Sequence, residues 1–314
     1  MPDPLVYAIV VNWNRCEDTL ECLASLEGSS YGNLTILVID NGSTDGSPQR
    51  IRAEFPKIEL LALPENSGYA GGNNAAFRRL KDAGADYFFL LNNDATADRD
   101  CVGMLVAAAE SAPDIGVVGA KALHADDPTL IESVGVSVNL RTARVRQIGY
   151  GEKDAGQYGE LLKRDAVNGA AMLVRAALLE EVGLFDEEYF CYFEEVDFCL
   201  RAGEKNYRIL YCPDALVYHK GASSGGGRRS PLQFYYGTRN QLLLARKRGK
   251  GTPGYARTVM VLALNVLSAL LRPGKGRLGA LKWIRRGWHD YRKGIFGKAT
   301  YDFSEHGRGR QGRA

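Results

Sequence analysis

The 314-residue chain lacks the short motifs that mark the common nucleotide-binding enzymes. A dinucleotide-dependent oxidoreductase would carry Gly-x-Gly-x-x-Gly after its first strand, where this chain has Asn12-Trp13-Asn14. Such glycine patterns occur only at residues 249–254, 274–279 and 307–312, all in the basic C-terminal part with no predicted strand before them, and no P-loop occurs. A nucleotidyltransferase would need a basic, glycine-rich first loop, which is also missing. These absences argue against all three classes.

Paired cysteines, a secretion signal and an apolar run of membrane length are lacking too. The six cysteines form no Cys-x-x-Cys pair and no zinc-like spacing, which predicts reduced thiols in a cytosolic protein. The N-terminus has neither the basic region nor the cleavage site of a signal peptide. The uncharged run from Thr258 to Leu271 has 14 residues, fewer than the ~20 that span a bilayer. We therefore expect a cytoplasmic location.

Charge is plentiful but unevenly distributed. Residues 241–314 hold 17 Lys and Arg against 3 Asp and Glu, whereas residues 1–240 hold 23 against 34. A basic tail on an acidic body is expected to contact an anionic partner, either a membrane surface or a nucleic acid. The apolar piece 255–271 is either a buried core helix or an interfacial helix. The basic, aromatic piece 277–296 favours the interfacial interpretation, so a membrane is expected and a nucleic acid is not.

Short apolar runs alternate with helical patterns over the first 120 residues. The pattern predicts strands at residues 5–11, 34–39, 58–63 and 87–91, and helices at 16–26, 46–55, 70–84 and 98–111. Strands that are apolar on both faces and alternate with helices indicate a parallel sheet that is covered on both sides. The predicted fold class is therefore α/β, a Rossmann-like sheet that is covered by helices and mixed in its second half.

After residue 115 the pattern becomes mixed. It predicts a hairpin from residues 130–138 and 143–149, a strand and then a helix over 167–183, and a helix over 194–206 that ends at Gly203. The Gly- and Ser-rich segment 222–230 is expected to move. Helices are also expected at 234–248 and at the two tail pieces.

Polar residues follow each of the first four predicted strands. They are Asn12-Trp13-Asn14, Asp40-Asn41-Gly42-Ser43, Pro64-Glu65-Asn66-Ser67-Gly68 and Asn92-Asn93-Asp94. In open α/β sheets a ligand lies beyond the carboxyl ends of the strands, so these segments predict a ligand crevice. Asp40 either accepts hydrogen bonds from a base or ribose or forms an Asx-turn with its own backbone, and the neighbouring strand ends favour the ligand role.

Two of these strand ends suggest where a diphosphate would lie. The glycines of the segment 66–74 allow close backbone approach, and the helix N-terminus there favours an anionic phosphate. Asp94 can hold a hard divalent cation that also keeps water and diphosphate oxygens, and the cation would neutralise a departing diphosphate. The alternative for Asp94 is N-capping of the following turn. His219 is either a further metal ligand or an ordinary histidine.

Acidic residues open the predicted helix 194–206. A carboxylate of Glu194 or Glu195 that faces the crevice can take the proton from an attacking hydroxyl. The alternative is the general preference for acidic residues at a helix N-terminus. Asp197 and Arg201, four residues apart, are expected to form a surface ion pair.

Taken together, the chain resembles the family-2 glycosyltransferases with the GT-A fold, particularly their rhamnosyltransferase-like branch. The resembling segments run in order over roughly residues 6–245: VVNWNRCEDTLECLASL, ILVIDNGSTDGS, LPENSGYAGGNNAA, FLLNNDA, NGAAMLVRAALLEEVGLFDEEYFCYFEEVDFCLRA, YHKGASSG and FYYGTRNQLLL. Each motif alone is weakly specific, whereas the ordered set is highly specific.

The resemblance implies roles for particular residues. Asp40 would contact the base, Asn92-Asn93-Asp94 would form the DxD-type site, and Glu195, with Glu194 as the second candidate, would be the catalytic base. The implied metal ligands are Asp94, His219 and Asn92, and Asn168, Gly169 and Asp197 are expected on the acceptor side. Arg239 and Asn240 would cover the diphosphate or the acceptor. The expected nucleotide-sugar contacts are Asn12, Asn14, Asp40, Asn41, Ser43, Asn66, Gly68, Gly71, Asn74, Asn93, Asp94 and Arg239.

The resemblance also implies an activity. An inverting transferase would move a sugar, rhamnose from dTDP-rhamnose being the first choice, to a lipid-linked glycan with Mg²⁺ or Mn²⁺ as cofactor. The alternatives are UDP- or GDP-sugar donors and a non-catalytic nucleotide-sugar-binding protein. Residues 1–240 would form the catalytic domain, with a nucleotide-sugar half at 1–120 and an acceptor half at 121–240. Residues 241–314 would form a helical extension on the inner face of the cell membrane, and segment 222–230 would close over the donor.

Overall fold

A computed structural model describes residues 2–221, 230–271 and 276–303, which include one large sheet. Its strands are β1 (Val6–Asn12), β2 (Leu34–Asp40), β3 (Glu59–Ala62), β4 (Tyr87–Asn92), β5 (Ala95–Ala97), β6 (Ile115–His124), β7 (Asp127–Ser133), β10 (Leu162–Lys163), β11 (Ala171–Arg175) and β12 (Arg208–His219). Strands β8 (Val136–Asn139) and β9 (Arg144–Gln147) form a separate antiparallel pair.

Helices pack on both faces of the sheet and extend beyond it. They are α1 (Cys16–Glu27), α2 (Ser47–Glu54), α3 (Gly68–Arg79), α4 (Cys101–Glu110), α5 (Leu178–Val182), α6 (Glu194–Glu204), α7 (Pro231–Arg248), α8 (Gly254–Leu270) and α9 (Gly276–Lys293). Successive residues of a strand enter opposite cores: Val10 and Phe89 pack in one, Ile9 and Leu90 in the other. This explains why β1 and β4 are apolar throughout.

The sheet is mixed, and it runs in the order β10-β12-β6-β11-β4-β1-β2-β3. The predicted parallel arrangement holds for β1 to β4, which pair in parallel with one another. Beyond β4 the sheet is mixed, as predicted, because β11 lies antiparallel between β4 and β6. The buried strand β6 begins where the sequence pattern predicts no strand, and β12 pairs with it in parallel.

The predicted hairpin is only partly present. Strands β8 and β9 pair as expected over Val136–Asn139 and Arg144–Gln147. Residues 130–133, by contrast, belong to β7, which pairs antiparallel with β6 and so extends the large sheet. The first arm of the expected hairpin is therefore divided between two sheets.

The C-terminal helices are continuous with the rest of the fold. Helix α7 runs through residue 240 without a break, so the predicted domain boundary falls inside a helix. Trp283 of α9 packs with Tyr235 and Tyr236 of α7 in an apolar cluster. Within the described ranges, none of the helices has the length and apolar character needed to cross a membrane. Of the segment 222–230, all but Ser230 lies outside the described residues; Ser230 caps α7.

The turn that precedes α6 has an unusual backbone. Phe190, Tyr192 and Phe193 have φ values of 67°, 67° and 78°, in a backbone region that residues other than glycine rarely adopt. Each such residue costs on the order of 1–3 kcal/mol, so the turn persists only if its surroundings hold it. The Phe190 carbonyl accepts a hydrogen bond from Ala70 of α3 at 3.1 Å. A Cβ at Gly68, where φ is +77°, would collide with that carbonyl oxygen, so glycine is required there.

Two buried side chains of α7 hold this turn, and we call them the α7 clamp. The Asn240 amide nitrogen lies 2.8, 2.7 and 2.9 Å from the carbonyl oxygens of residues 189, 191 and 192. The Arg239 guanidinium donates to the carbonyls of residues 188, 189 and 297 at 3.1, 3.0 and 2.7 Å. Arg239 and Asn240 are both fully buried. The clamp thus satisfies carbonyls that the irregular backbone leaves without helix or sheet partners.

Replacing Asn240 with Asp should destabilise the protein strongly. The substitution removes the amide donor and places a buried carboxylate against three carbonyl oxygens. We expect the free energy of unfolding to fall by about 2–4 kcal/mol, measured by denaturant titration. The same change at exposed Asn33 is the matched control and should alter stability by less than about 1 kcal/mol. Equal effects at the two positions would show that the clamp contributes nothing special.

Candidate functional site

A buried polar network joins the carboxyl ends of β1, β2 and β4. The Asn12 amide donates to Asp40 Oδ1 at 2.8 Å and to Ser43 Oγ at 3.1 Å. Asn12 Oδ1 in turn accepts from Thr19 Oγ1 at 2.8 Å and from the Asn93 amide at 3.4 Å. The strand ends that the sequence grouped are thus brought together, and their side chains fix one another.

Asp40 forms an Asx-turn, the alternative to the ligand role that the sequence favours. Its Oδ2 accepts from the Ser43 backbone N–H at 3.0 Å, while Oδ1 accepts from Asn12, and the residue is buried. Asn14 braces the same loop, because its Oδ1 accepts from the Thr44 N–H at 2.7 Å. A carboxylate has about four lone-pair sites, so these contacts leave acceptor capacity for a nucleotide.

The glycine-rich start of α3 is packed against protein, contrary to the expected open phosphate site. Asn41 donates to the Gly68 carbonyl at 2.9 Å and accepts from the Ser67 N–H at 2.9 Å. The Ala70 N–H is taken by the Phe190 carbonyl, and the Gly68 N–H by Asn66 Oδ1 at 2.8 Å. These glycines therefore serve close backbone packing in this structure. Gly71 packs on Ser67, and Asn74 binds the Phe185 backbone.

Strand pairing brings Asp94 and His219 together. Strand β5 pairs antiparallel with the end of β12 so that His219 is opposite Ala95, and the Lys220 N–H donates to the Asp94 carbonyl at 2.9 Å. His219 Nε2 lies 3.0 Å from Asp94 Oδ1, although the residues are 125 positions apart. The two side chains that were predicted as metal ligands therefore lie in contact.

Glu132 of β7 completes this cluster from the other side of the imidazole. Its Oε2 lies 2.7 Å from His219 Nδ1. Burial lowers the pKa of His219, but the hydrogen bonds and charges of Asp94 and Glu132 outweigh it and raise the pKa to about 10. Burial raises the pKa of Asp94, and the hydrogen bond with His219 outweighs that effect, so its pKa lies below the usual range. Without a bound cation, the imidazolium supplies positive charge between two carboxylates.

The donor set fits a divalent metal shared with a substrate. Asp94 offers an oxygen and His219 a nitrogen that Glu132 orients from behind, the arrangement found around metal-binding histidines. No group of three or more His, Cys, Asp or Glu suited to a metal occurs in the part of the chain that the structure describes. Two protein ligands leave several positions for diphosphate oxygens and water, as Mg²⁺ requires. Asn92 presents its amide nitrogen to His219 Nε2 at 3.2 Å, not an oxygen.

Glu194 and Glu195 begin α6 with carboxyl oxygens that have no partner. Glu194 Oε2 and Glu195 Oε2 are both buried without a hydrogen bond. Burial raises the pKa of Glu195 to about 7, and burial together with the charge of Glu195 raises that of Glu194 well above its usual range. Glu195 is the more exposed of the two. A carboxyl with a pKa near neutrality is suited to general base catalysis, which favours Glu195 over Glu194.

The glutamates and the Asp94–His219 pair lie on adjoining parts of the sheet edge. Gly169 packs against the Cβ and Cγ of Glu195, and the next residue, Ala170, accepts from the Asn92 N–H at 2.9 Å. Burial raises the pKa of Tyr192 above its usual range, and the charges of Cys191, Glu194 and Asp94 add to that rise.

Two residues predicted for ligand contact are occupied within the protein. Asp197 is fully buried, and its oxygens bind Arg201 at 2.8 Å and Arg248 at 2.7 Å. The expected pair with Arg201 therefore exists, but in the interior and not on the surface, and an acceptor role for Asp197 does not fit. Arg239 likewise belongs to the α7 clamp, so its expected cover of the diphosphate does not fit. The contacts of Arg239 and Asp197 therefore stabilise the turn and the helix that carry the candidate base.

The predicted acceptor residues Asn168 and Gly169 lie beside the glutamates. Both are half-buried, and Asn168 Oδ1 accepts from the Ala170 N–H at 2.9 Å. Tyr69 donates to the Gly169 carbonyl at 2.7 Å. Burial and the charges of Glu194 and Glu195 raise the pKa of Tyr69 well above its usual range, so it stays a neutral donor beside the base. The sequence points to neither role: Tyr69 lies in the segment 66–74, whose glycines suggest a phosphate site, and Glu132 lies in a predicted hairpin arm.

Comparison with known proteins shows which family the chain belongs to. The model of glycosyl transferase family 2 matches residues 7–170. The chain is 30% identical to an N-acetylglucosaminyl-diphospho-decaprenol L-rhamnosyltransferase of Mycobacterium tuberculosis, an alignment that covers 68% of this chain and 76% of the relative. It is 24% identical to a dTDP-rhamnosyl transferase of Shigella flexneri, with 77% and 80% covered.

Solved structures agree on the fold. A mannosyltransferase of Pyrobaculum calidifontis in complex with GDP-Man and Mn²⁺ superposes with a TM-score of 0.55 at 18% identity, over 94% of this chain and 84% of that one. TarS of S. aureus gives a TM-score of 0.52 at 18% identity, over 84% and 43%. The fold is the predicted GT-A fold, with C-terminal helices added to it. The chain is a glycosyltransferase and belongs to glycosyl transferase family 2, in its rhamnosyltransferase-like branch.

Proposed function

We propose that the protein transfers a sugar from a nucleoside-diphosphate sugar, with inversion, to a hydroxyl of a lipid-linked glycan used in cell-envelope polysaccharide synthesis. The observation that carries this proposal is the unpartnered carboxyl of Glu195 beside the Asp94–His219 pair. The Glu195 carboxyl accepts a proton, and the Asp94–His219 pair receives the diphosphate. An inverting transfer needs both groups at one site.

Glu195 acts as the base in this proposal. The acceptor oxygen forms a bond to the anomeric carbon, the bond from that carbon to the diphosphate oxygen breaks, and the hydroxyl proton passes to Glu195 Oε2. A single displacement inverts the configuration. Burial makes this carboxylate more basic, because the charged form is poorly solvated. Tyr69 and Gly169 fix the wall against which Glu195 packs.

Asp94 and His219 would hold the divalent cation, and Glu132 keeps the imidazole in place. The cation, when bound, offsets charge on the diphosphate. The buried network of Asn12 and Asp40 shapes the loops for the nucleotide. The remaining nucleotide contacts are proposed for Ser43, Asn66 and Asn93. Mg²⁺ and Mn²⁺ both suit this oxygen and nitrogen set.

Donor and acceptor are proposed from the relatives and the tail. A dTDP-rhamnosyl transferase among the relatives supports rhamnose from dTDP-rhamnose, and the decaprenol-linked rhamnosyltransferase supports a prenyl-diphosphate glycan as acceptor. We place the nucleotide-sugar half at residues 1–120, the acceptor half at 121–240, and the extension at 241–314 on the inner face of the cell membrane. Its excess of Lys and Arg suits an anionic lipid surface.

Replacing Glu195 with Gln should abolish transfer while donor binding survives. Gln keeps the shape of the side chain but cannot accept the proton, so kcat should fall about 10²–10⁴-fold. Transfer is measured by release of the nucleoside diphosphate in the presence of acceptor, and donor affinity by calorimetry. Glu194→Gln tests the second candidate, and exposed Glu160→Gln is the control for folding and handling. Transfer near the wild-type rate in Glu195→Gln would remove Glu195 from the mechanism.

The pH dependence of transfer should report the same carboxyl. Because burial raises the pKa of Glu195 to about 7 and only the deprotonated form accepts a proton, kcat/KM should rise with pH and level off above that value. Below it, the rate should change by about tenfold per pH unit. The measurement is kcat/KM from pH 5 to 9 at a fixed saturating metal concentration. A profile flat between pH 5 and 8 contradicts the assignment.

Replacing Asp94 with Asn should remove metal-dependent donor binding. The wild type should melt several degrees higher with dTDP and Mn²⁺ together than with either alone, since ligands that bind the native state stabilise it. In Asp94→Asn this joint shift should vanish. Exposed Asp82→Asn makes the same chemical change away from the site and should retain the shift. A joint shift of wild-type size in Asp94→Asn would rule out a metal contact at this position.

A further inference from the structure

A basic groove lies on α9, outside the catalytic residues described above. It has a volume of about 730 Å³ and is lined by Arg285, Arg286, Trp288, His289, Arg292, Lys293 and Tyr301. The basic residues thus surround a concavity, not a flat patch, and aromatic rings form part of its wall. We call this feature the α9 groove.

The cations of the α9 groove are not neutralised by neighbours. Arg285, Arg286, Arg292 and Lys293 form no ion pair with any carboxylate of the residues that the structure describes. Asp290, on the same helix, is buried, and its two oxygens accept from Tyr235 at 2.6 Å and Tyr301 at 3.1 Å. The groove therefore presents concentrated positive charge to solvent, which favours an anionic ligand with more than one negative charge.

The walls of the groove are rigid. The Arg286 guanidinium lies 4.6 Å from the ring centres of both Trp283 and Tyr301, and Trp283 is almost fully buried. Arg292 lies 5.2 Å from the ring centre of Trp288. Stacked guanidinium groups keep their charge and N–H donors while losing conformational freedom in advance of binding. Such preorganised arginines suit phosphate oxygens in particular.

An apolar helix face accompanies the groove. Helix α8, which packs on both α7 and α9, exposes large apolar side chains at helical spacing. They are Tyr255, Val259, Met260, Leu264, Leu267 and Leu270, and Leu271 and Leu278 follow at exposures of 74% and 80%. A contiguous exposed apolar face of this kind marks a contact with a protein or a lipid. The cations of the α9 groove, which lie on the helix that packs against α8, favour a lipid that carries phosphate, because such a lipid matches both the charge and the apolar face.

We propose that the α9 groove binds the diphosphate of a prenyl-linked glycan while the exposed face of α8 lies in the acyl region of the membrane. This proposal rests on the proposed function and adds to it where the acceptor lipid is held. A phosphodiester headgroup has one negative charge and would be served by scattered surface lysines. Four cations around one concavity, of which Arg286 and Arg292 stack on aromatic rings, match a diphosphate better.

Vesicle binding tests the proposal without any sugar transfer. The probes are phosphatidylcholine vesicles that contain either undecaprenyl diphosphate or phosphatidylglycerol, prepared at equal surface charge, with inorganic diphosphate as a soluble competitor. The full chain should prefer the undecaprenyl diphosphate vesicles, and inorganic diphosphate should displace it. Arg285, Arg292 and Lys293, all exposed, are changed together to Gln. The change should weaken binding on the order of 100-fold, since each cation contributes about fivefold at such a surface.

A matched control removes the same charge elsewhere. Lys57, Lys81 and Arg99 are exposed on the body, and their joint change to Gln should alter vesicle binding less than about threefold. Equal losses in the two triple variants, or equal binding of wild type to the two charged vesicles, would overturn the proposal. Glu195→Gln should bind the diphosphate vesicles like wild type. The groove variant tests where the acceptor lipid binds, and Glu195→Gln tests the transfer step. Either proposal can therefore fail without the other.

Discussion

The side-chain amide of Asn240 sets the position of the candidate base. It faces the carbonyls of residues 189, 191 and 192, and so holds a turn that contains three positive-φ residues. The same turn gives its Phe190 carbonyl to α3 and then opens α6 at Glu194. Three parts of the fold, α3, α6 and α7, therefore meet at one strained segment, and the carboxyl of Glu195 is placed by all of them.

The first half of the fold could be predicted because β1 to β4 satisfy one simple rule. Each contains an apolar run and is followed by a helical pattern, and the central strands β1 and β4 are apolar on both faces, as a parallel sheet requires. Strand β6 breaks the rule, since Gly116, Gly119 and Lys121 interrupt its apolar run, and Lys121 is stabilised by Asp154 at 2.9 Å. Strand β12 contains Pro213 and Asp214 at a register shift, so its length is hidden as well.

The candidate site shows a similar division. The resemblance identified Asp94 and His219, and the structure brings them together. The resemblance gave no indication of Glu132, because its contact with His219 depends on β7 pairing with β6 beside β12. Arg239 and Asp197 illustrate the opposite error. A charged residue in a motif looks the same in sequence whether it faces a ligand or an interior partner, and only the packing of α7 on the turn distinguishes the two. The partners of a buried charge are often distant in the sequence, so only the folded structure identifies them.

The seam between α7 and α9 has a consequence for how such enzymes can be rebuilt. At Gly287 the helices are so close that a Cβ would collide with the Tyr235 carbonyl, and Trp283 and Tyr301 close over the same seam. Helix α7 continues from this seam to the turn that carries Glu195. The C-terminal extension is therefore no detachable anchor. A chimera that exchanges it must also exchange the facing side of α7, or the graft will disturb the catalytic turn.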